Sequence, residues 1–165
     1  MRQLKVFLAV LVLAIVSCRS VPSDVRQAHD LSMTESAAAL GIATDILVKI
    51  ETKSIELSNE SVTAAYTQWR QHMVKISAAR DVVYRYLVDS SAGTDVTIPY
   101  STGAKLLNDM NRGFVTIEAS WTSMLLAEND AAAKNFIALF RKDIQRFKVL
   151  EHKFDEWIKQ FKVKE

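Results

Sequence analysis

Between positions 60 and 90 apolar residues recur in alternating steps of four and three: Val62, Tyr66, Trp69, Met73, Ile76, Val83 and Leu87, with Arg80 in the one remaining seam position. That spacing holds a stripe on one face of an α-helix, in the heptad-like pattern of helices that pack along a seam. Upstream, from about Ser23 to Leu57, Met33, Ala37, Leu40, Thr44 and Leu47 repeat at helical spacing. A third stripe runs Leu106, Met110, Phe114, Ile117, Trp121, Leu125, and a fourth runs Phe136, Phe140, Ile144, Phe147, Leu150, Phe154, Trp157, Phe161. Four such segments predict an all-α domain over 24–165. The scarcity of glycine and proline agrees with this. The brief Asp95-Val96-Thr97-Ile98 is the one strand-like signal.

The joins decide the architecture. Ser90 through Pro99 to Gly103 carries glycine and proline and reads as a loop. Leu57 to Ser61 and Ala127 to Asp130 are polar but contain neither residue, so each is either a turn with an Asn or Asp cap or a polar patch within a longer helix. Val48, Ile55, Val62, Trp69, Ile76 and Val83 keep a seven-residue step across the first of them, which favours continuity. Two continuous helices of about 60 residues would form a coiled-coil hairpin near 90 Å long, at about 1.5 Å per residue. A two-helix seam has little room for Trp121, Trp157 and the phenylalanines, whereas a bundle buries them. The expectation is an antiparallel four-helix bundle, with the long two-helix coiled-coil hairpin as its alternative.

Ahead of these segments, Arg2 and Lys5 precede an unbroken apolar run, Val6 to Val16. A basic n-region and an h-region of this length form the pattern of a secretory signal peptide, too short to span a bilayer comfortably. The run ends in Ile15-Val16-Ser17-Cys18, and Cys18 is the only cysteine. These residues resemble the lipobox of bacterial lipoproteins. The resemblance covers residues 1–18 alone, and it implies cleavage between Ser17 and Cys18 and acylation of Cys18 with chains such as palmitate. Residues 1–17 are then the signal peptide and 18–23 the lipidated cysteine and a tether, with Ser23 or Asp24 as N-cap of the first helix. Two or three chains on one cysteine make a lasting anchor, because one chain holds only reversibly. Arg19 follows the cysteine. In enteric bacteria an aspartate there favours inner-membrane retention, so its absence leans toward the outer membrane, facing periplasm or exterior.

Cleavage also changes the charge. The signal segment takes two basic residues and no acids, leaving 19 basic against 19 acidic side chains. A balanced chain argues against nucleic acid as a partner, which calls for a strongly basic face. Small extracellular domains usually rely on disulfides, so a mature chain whose single cysteine leaves it without an internal disulfide fits an anchored protein better than a freely secreted one.

Residue patterns that carry chemistry are scarce. His29, His72 and His152 have no acid three residues before them, and neither a His-Glu-x-x-His motif nor a cysteine pair is present. No Gly-x-Ser-x-Gly elbow occurs, and the serines read mostly as caps near helix ends. The expectation is a non-enzyme with no metal and no cofactor. Two features stand apart. Arg80 breaks its own stripe, so it snorkels to an edge, meets a carboxylate such as Asp45, Glu51 or Asp109, or contacts a partner. Lys153, Lys159 and Lys162 belong to a basic C-terminal stretch that suits either a solvated face or contact with an anionic surface. Asn59-Glu60-Ser61 fits a glycosylation sequon, which matters only in a eukaryotic secretory host.

The sequence therefore predicts a membrane-anchored cell-envelope lipoprotein whose helical module works by interaction or structure, with an envelope protein as partner and homo-oligomers allowed. One alternative is a phage or mobile-element lipoprotein in lysis or superinfection exclusion. Another is a small-ligand carrier, which predicts an apolar cavity among the aromatics.

Overall fold

A computed structural model describes residues 20–91, 100–127 and 130–164. The chain is an antiparallel four-helix bundle: α1 (Ser23–Glu51), α2 (Glu60–Ser91), α3 (Tyr100–Leu125) and α4 (Asp130–Lys159), flanked by two short strands, β1 (Ser20–Pro22) and β2 (Lys162–Lys164). Helices adjacent in sequence are neighbours in space, and α1 packs on α4 to close the bundle. The α1–α2 and α3–α4 pairs are the more extensive; the two hairpins meet across α2–α3 and α1–α4. The signal segment, Ser17 and Cys18 lie outside the described residues, as does the Asp95–Ile98 strand signal.

Both polar junctions interrupt the helices, so the long hairpin is not formed. α1 ends in a Schellman arrangement: Lys53 takes the left-handed conformation (φ 56°), its N–H donates to the Ile50 carbonyl at 3.0 Å, and the Ser54 N–H donates to Lys49 at 2.8 Å. Asn59 then starts α2, its Oδ1 accepting from the Ser61 N–H at 2.9 Å. The seven-residue step across this junction does not mark a continuous helix: Val48 is half exposed and Ile55 packs on the core from the turn.

The stripes on α2 and α4 are as expected, whereas that on α1 is displaced. Its buried face is Val25, His29, Ser32, Ser36, Ala39, Leu40, Ala43, Ile46, Leu47 and Ile50, while Ala37 is exposed and Met33 and Thr44 are only partly covered. The reason is size: the inward positions include Ser32, Ser36, Ala39 and Ala43, which let α2 approach closely, so the stripe is marked by small side chains rather than large apolar ones. On α3, Leu107 and Met124 are buried where Leu106 and Leu125 were expected.

Aromatic rings fill the centre. Trp69 and Trp121 lie 5.8 Å apart between ring centroids, Trp121 and Phe140 5.1 Å, and Phe114 and Phe147 4.0 Å. The indole N–H groups of Trp69, Trp121 and Trp157 are buried without acceptors, so these residues serve the core through volume and not through a hydrogen bond.

Strands β1 and β2 pair in parallel, Ser20 with Lys162, Val21 with Val163 and Pro22 with Lys164. The expected tether is therefore docked from Ser20 onward, with Val21 only 1% exposed. The N-cap of α1 is Pro22, which makes no side-chain cap bond, in place of Ser23 or Asp24.

Candidate functional site

Arg80 occupies the middle of the bundle and touches a residue from each of the other three helices. Its side chain is 2% exposed, so it does not snorkel, and it meets none of the acids expected for it. Asp45 pairs with Lys49, and Glu51 pairs with Arg141. Instead Nε donates to Ser32 Oγ at 3.0 Å, Nη2 to Ser36 Oγ at 3.1 Å and Nη1 to Asn111 Oδ1 at 3.2 Å. The guanidinium carbon lies 4.8 Å from the Phe114 ring centroid and 5.5 Å from that of Phe147. Ser32 and Ser36 come from α1, Asn111 and Phe114 from α3, and Phe147 from α4.

The charge balance of this cluster is unusual. Burial pulls the Arg80 guanidinium down to about 10, opposed by the nearby Glu151 carboxylate, so it stays cationic at neutral pH. Burial pushes the Glu151 carboxyl above its ordinary range, opposed by a hydrogen bond with Ser36 and by the Arg80 charge. The Ser36 hydroxyl thus links the two: it accepts from Arg80 and donates to Glu151. The other Glu151 oxygen, Oε1, is buried without a partner. A cation held by three neutral acceptors and two rings is less fully compensated than one in direct contact with a carboxylate.

A second polar cluster closes the end of the bundle that carries the strands. Where α4 stops, Arg26 Nη2 donates to the carbonyls of Ile158 (2.9 Å), which also accepts from the Phe161 N–H, and of Phe161 (2.8 Å). One turn along, His29 is 1% exposed and bonds Asp155 Oδ1 through Nε2 at 3.2 Å. Desolvation lowers the His29 pKa, against the pull of Asp155. Burial acts to raise Asp155, but hydrogen bonds from Lys159 and His29 outweigh it and hold the carboxyl below its ordinary range. On the outer face of α1 and α2, Glu35 accepts from His72 Nδ1 at 2.6 Å and pairs with Lys75 at 3.2 Å.

Among the residues expected at a basic contact surface, Lys153 is exposed, and Lys159 is exposed but paired with Asp155. Lys162 lies in β2, its backbone in register with Ser20. The three lysines thus share the C-terminal end of α4 and the strand after it, while Arg80 is far inside. Ser32, Ser36, Asn111, Glu151, Arg26 and Asp155 were not singled out from the sequence. The four-residue step from Ser32 to Ser36 was the available signal, since two hydroxyls on the inward face of a helix imply a buried donor opposite. Those serines sit in mid-helix, not at ends where capping would explain them.

The described clefts lie between helices. One of about 640 Å³ runs between α1 and α4 along Ala37, Gly41, Thr44, Lys148 and Glu151. One of about 800 Å³ sits between the turns at the far end, beside Ile55, Leu57, Leu125 and Ile137. A third, of about 260 Å³, opens between α2 and α3 and reaches Arg80 and Asn111. Among the described residues no group of three or more His, Cys, Asp and Glu side chains is placed to hold a metal. α1 is long and apolar enough, by length and composition, to cross a membrane, but it is a wall of the bundle with its inward stripe against α2 and α4. No family model, no curated protein and no solved structure matches the chain.

Proposed function

We propose that this chain is a lipid-anchored cell-envelope protein whose four-helix module binds an envelope partner at a membrane surface without converting it. The observation that carries this reading is the position of the only cysteine, at the end of the apolar run in Ile15-Val16-Ser17-Cys18. Docking of the next residues supports it. Ser20 pairs with Lys162 and Val21 is buried, and two residues of chain reach no farther than about 7 Å. A lipid on Cys18 therefore attaches beside the end of the bundle where α1 begins and α4 finishes.

That geometry gives the anchor a second consequence. A long flexible tether would let the module tumble, whereas a docked one fixes which end faces the membrane. The end bearing Lys159 and β2 lies toward the headgroups, and the opposite end, with the turn at 52–59 and the close of α3 at Leu125, points away. Lys153 and Lys159 then supplement the lipid with attraction to an anionic surface, Lys159 the less because its charge is shared with Asp155. The outer membrane is the favoured location.

The test is fractionation of cells expressing the wild-type chain and Cys18→Ser. The wild type partitions with membranes and leaves them only with detergent, while Cys18→Ser does not. A Cys18→Ser protein that stays with membranes as firmly as wild type removes the lipid from the account.

A further inference from the structure

We propose that the cleft between α2 and α3 binds a small carboxylate bearing a short apolar tail, with Arg80 receiving the carboxylate. A guanidinium has five N–H donors, and Arg80 spends three, on Ser32, Ser36 and Asn111. Two donors therefore remain on a side chain that is 2% exposed, where an unused charged donor is costly. The three acceptors are all neutral, so the buried cation still lacks an anion in direct contact.

The cleft reaches Arg80 beside Asn111, the residue to which Nη1 donates. Arg80 and Asn111 line its polar part, and Met73, Ile76, Phe114 and Val115 its apolar part. Because Asn111 accepts from Arg80 through Oδ1, its amide Nδ2 is left to donate beside the guanidinium. A carboxylate bridging Arg80 and Asn111 answers this donor set, since planar two-oxygen acceptors match the guanidinium fork. The volume of about 260 Å³ limits the tail to a few carbons. Glu118 stands on the lining as well, its charge only partly offset by the exposed Arg70 at 3.3 Å and its Oε1 accepting from Tyr66 at 3.1 Å. It therefore sets an upper limit on ligand charge: a monocarboxylate fits and a dianion is repelled. This site stands whether or not Cys18 is acylated.

The experiment is titration of the full chain, with its methionine methyls isotope-labelled, against hexanoate and separately against 1-hexanol. Hexanoate should shift the Met73 methyl and Arg80 Nε–H signals saturably, with the alcohol at least tenfold weaker. Ser77→Leu, at an exposed position on the cleft lining and outside the Arg80 hydrogen bonds, should lose hexanoate at least tenfold while keeping its helical circular dichroism. Glu118→Gln removes a like charge and should tighten binding about threefold. The proposal is overturned if hexanol binds as well as hexanoate, if Ser77→Leu leaves the affinity unaltered, or if Glu118→Gln weakens it.

Discussion

The indole of Trp157 occupies the space that a Cβ on Gly103 would need, with its Cη2 only 2.3 Å from that position. Glycine in a helix interior sacrifices about 1 kcal/mol of propensity relative to alanine, and here it lets α3 and α4 close over a large ring. Gly103→Ala should therefore lower stability by about 1–3 kcal/mol. Gly41, on the outer side of α1, has nothing within 4 Å of the same point, so Gly41→Ala should raise stability by roughly 0.5–1 kcal/mol. Thermal unfolding of the two variants checks the opposite signs; a shared sign would refute the packing account.

Lys53 carries a side chain in the left-handed conformation that ends α1. The strain disappears in glycine, so Lys53→Gly should stabilise the protein by about 1 kcal/mol despite the added freedom of the unfolded chain. A denaturant series with an unchanged slope and a higher midpoint is the expected result.

Ser36 couples Arg80 to Glu151, and that coupling can be measured. Arg80→Met alone leaves a buried carboxyl and unused hydroxyls, and should cost about 3 kcal/mol. Arg80→Met combined with Glu151→Leu should recover most of that loss, because the polar group that Arg80 compensated has gone too. Additive effects in this double-mutant cycle would show that the two residues act independently.

His29 gives the fold a pH dependence of defined sign. Its pKa in the folded protein lies below the ordinary 6.5, with desolvation outweighing the opposing pull of Asp155 and Asp30 and adding to the effect of Arg26. As pH falls through 6.5 the unfolded chain takes up the proton first, so stability drops below about that value and is unaffected by His29 above it. Glu151 acts oppositely, its raised pKa favouring the folded state as pH falls toward 4.5. The clean observable is thus a difference: the stability advantage of wild type over His29→Gln should shrink between pH 7.5 and 5.5. An advantage that grows on acidification would mean that His29 is held protonated.

The bundle was legible because α2 and α4 are marked by large apolar residues at the right period, and ring volume favoured four helices over two. The break after Ser90 and the Asn59 cap were legible too, but the stop of α1 was not. Lys53 takes a position usually filled by glycine, so the stop after Glu51 carries no composition signal, and the seven-residue step ran through Val48, which is half exposed, and Ile55, which packs on the core from the turn. Arg80 was visible as a break in its stripe, but its partners depend on the register between helices. Asp45 and Glu51 looked suitable by residue type, yet are used by Lys49 and Arg141, while the step from Ser32 to Ser36 points to a buried donor without naming Arg80 and Asn111 is an isolated polar residue. The pairing of Ser20–Pro22 with Lys162–Lys164 joins segments too short and too distant in sequence to leave a local pattern.

Docking of the tether has its own test. Val21→Asp places a charge where the side chain is 1% exposed and should cost about 2 kcal/mol or more. Hydrogen exchange should show protection lost first around residues 21–26 and 158–164, with the centre of the bundle intact. Uniform loss across all four helices would mean that the strands are not a separable lock.

The central claim is that Cys18 carries lipid and fixes the bundle by its strand-bearing end. Intact mass of the protein extracted from membranes tests it most directly. The account predicts a chain that begins at Cys18 and is heavier than its sequence by a diacylglyceryl group, with or without a further acyl chain on the new amine. A soluble wild-type protein whose mass equals that of its bare polypeptide would contradict it.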